Sequence, residues 1–180
     1  MWKLTKCWLP LLCGGMCLLK FYTVNNDYIN YLRQFDQRIY ENRSRRPYIG
    51  IVHVIGDINY YVPLSSPKPK HKTMKNSKDF HKINGGLLGA LNFNYMIPVR
   101  DNDLILKDIK NEPDILYKNL LINQYNEILK IKDVIYSKAE TLYLLTQIDD
   151  NNLSSTDKKI KSRCCDFTLL EIRMTEYQTA

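Results

Sequence analysis

The sequence predicts an α+β fold, with a small, strongly bent sheet or partly closed barrel in front and a helical part behind. Two observations predict it. All seven glycines and all seven prolines lie at or before Pro113, and residues 114–180 contain neither. A long stretch without breakers reads as helix. Ahead of it, short β-branched and aromatic runs follow one another closely, as in small bent sheets.

The elements follow in order. KFYTV (20–24) reads as a short strand, and NND (25–27) as a helix cap. Tyr28, Tyr31, Leu32 and Phe35 then fall on one helical face. YIGIVHVIGDINYYVPL (48–64) places two strand-like runs around Gly56-Asp57, a two-residue hairpin signal. LLGALNFNYMIPV (87–99) supplies one or two further strands. From Asp114, the residues Leu116, Leu120, Ile128, Ile131, Ile135 and Leu142 keep helical spacing, for one long helix or a broken pair. SSTDKK (154–159) reads as a polar joint, and CCDFTLLEIRMTEY (164–177) as a closing helix.

The totals bound the function. A chain of 180 residues, 44% hydrophobic and 25% charged, is enough for one folded domain. Lys plus Arg is 26 against 19 for Asp plus Glu, a net charge of +7. Such a field favours a polyanion: nucleic acid first, an acidic membrane surface second. Of five cysteines, three lie in the first 17 residues, and Cys164 and Cys165 are adjacent. This is neither a disulfide framework nor a zinc spacing, and it points to a reducing, cytoplasmic compartment. The first twenty residues carry Lys3, Lys6 and an apolar run, like a signal peptide, but lack a small-residue cleavage site. The run is too short to span a bilayer, and both tryptophans fall here. Residues 1–19 are therefore expected to be an extension outside the fold, with Met16 as an internal candidate start and 20–180 as a single domain.

The chemistry concentrates after the hairpin. PLSSPKPKH (63–71) packs three prolines around Ser65, Ser66, Lys68, Lys70 and His71. Each proline fixes φ and removes a donor, so the segment is stiff. Lys68, Lys70, Lys72, Lys75, Lys78 and Lys82 fall within residues 67–82, where Asp79 is the one acid. Such density suits a phosphate backbone. No carboxylate occurs from residue 58 to 78, whereas a metal-dependent nuclease needs clustered acids. RNA cleavage here would then use the substrate's own 2′-OH and need neither metal nor other cofactor. Lysine or arginine would stabilise the charged phosphorane, hydroxyls would orient the phosphate, and His71 is a candidate acid–base group. Arg43, Arg45 and Arg46 open the hairpin whose other strand ends at Ser65, which brings Arg46 and Tyr40 toward Ser66 and Lys68.

FYTVNNDYINYLRQFD, RPYIGIVHVIGDINYYVPLSSPKPKHKTMKNS, LNFNYMIPV, YKNLLINQ and RCCDFTLLE, in this order, resemble the toxins of type III toxin–antitoxin systems, the ToxN/AbiQ type. The resemblance spans about residues 20 to 177. It implies a compact Kid/MazF-like β-barrel elaborated by helices, and an endoribonuclease that acts in abortive infection against bacteriophage. It implies an RNA antitoxin, a folded pseudoknot-like repeat that the toxin cuts from its precursor, held with the toxin in a closed hetero-oligomer. Family active-site positions fall on Ser65, Ser66 and Lys68. A family lysine before the YIGIV strand corresponds to Arg46, which keeps the charge but cannot act as a base. Tyr40 is nearest to a family tyrosine. The RNA-binding set is then Tyr40, Lys70, His71, Lys72, Lys75 and Lys78. The alternative reading is a non-catalytic basic RNA-binding module, which would bind RNA without leaving cyclic phosphate ends.

Overall fold

The computed structural model describes residues 19–41 and 46–178. The expected extension, apart from Leu19, lies outside the described residues, as do Arg43 and Arg45. Leu19 itself is buried in the core.

Strand β1 (Lys20–Val24) leads into helix α1 (Asn26–Arg33), capped by Asn25, whose side chain accepts from the Asp27 amide at 2.9 Å. The hairpin is β2 (Tyr48–Ile55) and β3 (Ile58–Ser65), joined at Gly56 and Asp57 with Gly56 at φ +56°. This is the positive φ that a tight two-residue turn demands and glycine accepts. The loop after β3 contains a short helix, α2 (Pro69–Thr73). Pro69 begins it without loss of a needed donor, and the residue before it, Lys68, stays extended. Strands β4 (Phe80–Lys82), β5 (Ala90–Asn92), β6 (Ile97–Pro98) and β7 (Leu104–Leu106) follow.

The strands pair antiparallel in the order β4-β5-β3-β2-β1-β7, with β6 also on β3. The register slips between Ile49 and His53, a bulge that bends the sheet. The compact Kid/MazF-like barrel that the resemblance implies is not confirmed among the described strands. The terminal strands β4 and β7 do not pair with each other, so the sheet is open.

Behind the sheet lie α3 (Ile115–Lys130), α4 (Lys132–Gln147), α5 (Ser155–Lys161) and α6 (Phe167–Glu176). The breaker-free stretch is thus a broken pair of long helices followed by two short ones. Leu116, placed on the apolar face by its spacing, is 81% exposed. The first turn of α3 projects beyond the core, and the buried stripe begins at Leu121 and continues through Gln124 and Ile128. The expected joint at 154–159 is instead the start of α5. Ser154 Oγ accepts from the Asp157 amide at 3.1 Å, a helix cap spelled out in Ser154-x-x-Asp157. Between sheet and helices, Tyr60, Tyr143 and Phe167 pack together, and the Tyr60 hydroxyl donates to Glu171 at 2.7 Å. No helix among the described residues is long and apolar enough to cross a membrane.

One contact fixes how the sheet ends. Gly89 sits at φ +96°, and a Cβ there would lie 2.0 Å from the Ser65 carbonyl oxygen. The loop before β5 therefore closes on the last residue of β3 only because residue 89 has no side chain. Gly89→Ala combines a disfavoured φ with a backbone collision, and it is expected to destabilise the fold by roughly 2 kcal/mol or more. Chemical denaturation checks this, and an unchanged midpoint would refute it.

Candidate active site

Strand alternation separates the two serines. Successive side chains of a strand point to opposite faces. Leu64 and Ser66 line a cleft of about 1170 Å³, together with Tyr40 and Arg46. Ser65 is turned away and buried, with its Oγ accepting from Asn92 Nδ2 at 2.7 Å. The expectation that both hydroxyls grip one phosphate is corrected here: Ser66 is exposed on the cleft and Ser65 is tied down behind it.

Arg46 arrives where the hairpin geometry puts it. The Leu64 amide donates to the Pro47 carbonyl at 2.9 Å, so the chain at 46–47 runs beside the end of β3. The Arg46 guanidinium lies over the Tyr40 ring, 4.4 Å from its centroid. It also reaches the Leu64 carbonyl at 3.5 Å, the long limit of a hydrogen bond. Tyr40 packs in turn on Tyr95, with ring centroids 4.4 Å apart. Burial, and then Tyr95, pushes the Tyr40 phenol up to about 12. Tyr40 thus presents an apolar, neutral platform for the cation.

The lysine segment divides. Lys68, Lys70, Lys72 and Lys75 are exposed, and Lys68 sits extended just before α2, two residues beyond Ser66. Lys78 pairs with Asp157 of α5 at 2.6 Å, so part of its charge is already met within the protein. His71 is 2% exposed and packs against Phe80. Burial, followed by Lys68 and Lys70, holds its imidazole below the usual range. His71 is buried rather than presented at the surface that the exposed lysines line, so its placement does not support the expected RNA contact. The cause is the helix at 69–73, which turns the residue inward.

The cleft also contains residues that no local pattern singled out. Arg33, Arg38 and Lys107 line it. Arg38 is held by Asp36 at 2.8 Å, and Lys107 by Glu112 at 2.5 Å. Asp114 also borders the cleft, but its carboxylate caps α3 by accepting from Leu116 and Tyr117 amides. Arg33 sits in the last turn of α1 and Lys107 follows β7. Their convergence comes from the pairing of β7 with β1, which no local pattern announces. Among the described residues, no group of three or more His, Cys, Asp or Glu is placed to hold a metal ion.

Asp79, the one acid of the basic segment, is buried at 4% exposure. Its carboxylate accepts from Arg163 Nε at 2.6 Å and Nη2 at 3.1 Å, and from Ser77 Oγ at 2.7 Å. Its carbonyl accepts from the Phe93 amide at 2.9 Å. Asn94 completes a ring, with its Nδ2 donating to the Arg163 carbonyl at 3.3 Å and its own carbonyl accepting from the Cys165 amide at 2.8 Å. The Arg163 pair holds the Asp79 carboxyl below the usual range against the opposing effect of burial.

The family model described as Toxin ToxN, type III toxin–antitoxin system, matches residues 20–175. Endoribonuclease ToxN of Bacillus thuringiensis subsp. kurstaki is 32% identical, over 88% of this chain and 84% of its own. Endoribonuclease AbiQ of Lactococcus lactis subsp. lactis is 33% identical, over 88% and 89%. A solved structure of a bacterial type III toxin–antitoxin system, in which a non-coding RNA pseudoknot selectively inhibits the toxin, superposes with a TM-score of 0.79 at 32% identity. That likeness covers 90% of this chain and 99% of the other. The chain belongs to the ToxN toxin family of type III toxin–antitoxin systems.

Proposed function

We propose that this chain is the RNA-cleaving toxin of its system and that it cuts by attack of the substrate's own 2′-OH, without metal. The carrying observation is the cleft at the end of β3, where Ser66 and Arg46 share one wall and Lys68 follows two residues on. In this reading the 2′-oxygen bonds to phosphorus and the bond to the 5′-oxygen breaks. The 2′-OH gives its proton to solvent, and the leaving 5′-oxygen takes one from Lys68, which solvent re-protonates. The products are a 2′,3′-cyclic phosphate and a 5′-OH.

The roles follow from chemistry. Ser66 donates to a non-bridging oxygen. Arg46, flat on Tyr40, offers its fork of donors to the phosphorane, where negative charge develops. Lys68 adds a second cation and a proton for the leaving oxygen. Arg46 cannot act as a base, and the raised Tyr40 phenol is not suited to that work. Ser65 supports the strand end through Asn92.

Binding extends outward from this point. Lys70, Lys72, Lys75 and Tyr40 are the proposed further RNA contacts, and Lys78 joins them only by sharing its Asp157 pair. A relative's neutralisation by an RNA pseudoknot, and another's description as an anti-phage endoribonuclease, support an RNA antitoxin here and a role in abortive infection. A closed assembly of toxin and RNA, cytoplasmic residence, and a Kid/MazF-like arrangement of the bent sheet complete the reading.

Three outcomes test it. Lys68→Ala, at an exposed position, is expected to change stability by no more than about 0.5 kcal/mol and to lower RNA cleavage by roughly 10²-fold or more. Equal cleavage by the folded variant would remove Lys68 from the site. Chelation by EDTA is expected to leave the wild-type rate unchanged, whereas a loss restored by magnesium would end the metal-free mechanism. A chain started at Met16 is expected to arrest growth as the full chain does, since residues 1–15 lie outside the family match. An inert or insoluble product would show that they belong to the working protein.

A further inference from the structure

We infer that Tyr95 is a positioning residue of the site, acting on Arg46 through Tyr40. Three layers make the case. Tyr95 lies in the short turn Phe93–Tyr95 that follows β5. Its ring packs on Tyr40 at 4.4 Å with an interplanar angle of 51°. Tyr40 in turn carries the Arg46 guanidinium, again at 4.4 Å from its ring centroid. Tyr95 and Tyr40 are partly buried, and Tyr95 packs against the core.

The stack answers a need that Arg46 has on its own. Arginine is long and rotamer-rich, and the polar contact that the described residues offer its guanidinium is the 3.5 Å approach to the Leu64 carbonyl. Arg46 Nε is buried with no acceptor among the described residues. Hydrogen bonds therefore fix the head group weakly. What holds its position is the aromatic ring beneath it, and what holds that ring is Tyr95. The turn itself is immobilised from both sides. The Phe93 amide binds the Asp79 carbonyl, and Asn94 binds Arg163 and Cys165. Tyr95 thus transmits the rigidity of the core to the cleft. It does not line the cleft, so its effect on the reaction runs through Arg46.

The inference rests on the reading of Arg46 as a phosphate-stabilising group, and the experiment separates the two. Cuts made in total RNA by the full chain are end-mapped, and a short synthetic RNA spanning one cut is the substrate. Tyr95→Leu is expected to lower kcat roughly tenfold to thirtyfold, the scale of a desolvated cation–π contact, with KM little changed. Tyr95→Phe keeps the ring and is expected to retain most of the activity. In an Arg46→Gln background, Tyr95→Leu is expected to make less than about a twofold further difference, because the interaction it supports is already gone. Thermal melting run alongside separates this coupling from general loosening of the fold. If Tyr95→Leu does not fold, Tyr95→His, with a smaller ring, carries the same cycle. Losses that multiply independently, or a Tyr95→Leu enzyme with full kcat, would overturn the inference. If Arg46→Gln cleaves as well as wild type, the inference falls while the endoribonuclease reading stands. If the wild-type chain makes no cuts, both fall.

Discussion

The buried turn at Asn92–Tyr95 holds the site together, because each of its residues is tied to a different part of it. Asn92 donates to Ser65 and fixes the end of β3. The Phe93 amide donates to the Asp79 carbonyl and fixes the far end of the basic segment. Asn94 binds the chain at Arg163 and Cys165, and Tyr95 supports Tyr40 and Arg46. The loop between residues 66 and 78 is therefore anchored at both ends. Its lysines lie on a rigid frame, which lowers the entropy lost when they meet a phosphate. Asp79 makes this frame costly to disturb. A buried carboxylate that loses its half-exposed arginine keeps only the Ser77 hydroxyl as a side-chain partner, which destabilises the fold.

The same frame sorts the positive charge. Among the cations of the site, Lys78, Arg38, Lys107 and Arg163 each have a carboxylate partner. Lys68, Lys70, Lys72 and Lys75 are exposed along the loop, and Arg46 rests on an aromatic ring in place of an acid. The paired cations build the scaffold, and the others face outward from it. A polyanion would meet a line of charge starting at Ser66. Affinity for single-stranded RNA should then depend steeply on salt, with a slope of roughly −0.7 per neutralised phosphate.

Much of this was legible in the residues, for physical reasons that differ from element to element. The hairpin was plain because Gly56-Asp57 can make the tight turn and the runs on either side are β-branched and aromatic. The proximity of Arg46 to Ser66 followed directly, since a hairpin brings its two ends together. The helical rear was plain from the missing glycines and prolines. Strands β4 and β7 were not, because three residues are too few to show alternation. His71 looked like a loop residue until the one-turn helix begun by Pro69 buried it. Asp79 looked like an incidental acid, since its partner Arg163 lies 84 positions away. The supporting role of Asn92–Tyr95 was hidden for the same reason: each of its contacts is distant in sequence. The openness of the sheet depends on pairing at its edges, which the family resemblance alone did not reveal.

The chemistry of the new RNA ends tests the central claim most directly. RNA cut by the purified chain can be treated with polynucleotide kinase, with and without its phosphatase activity, and then ligated or labelled. Attack by the 2′-OH at the Ser66, Arg46 and Lys68 site predicts 2′,3′-cyclic phosphate on one fragment and a free 5′-OH on the other. Fragments bearing a 3′-OH and a 5′-phosphate would mean that water was the nucleophile, and would contradict the account.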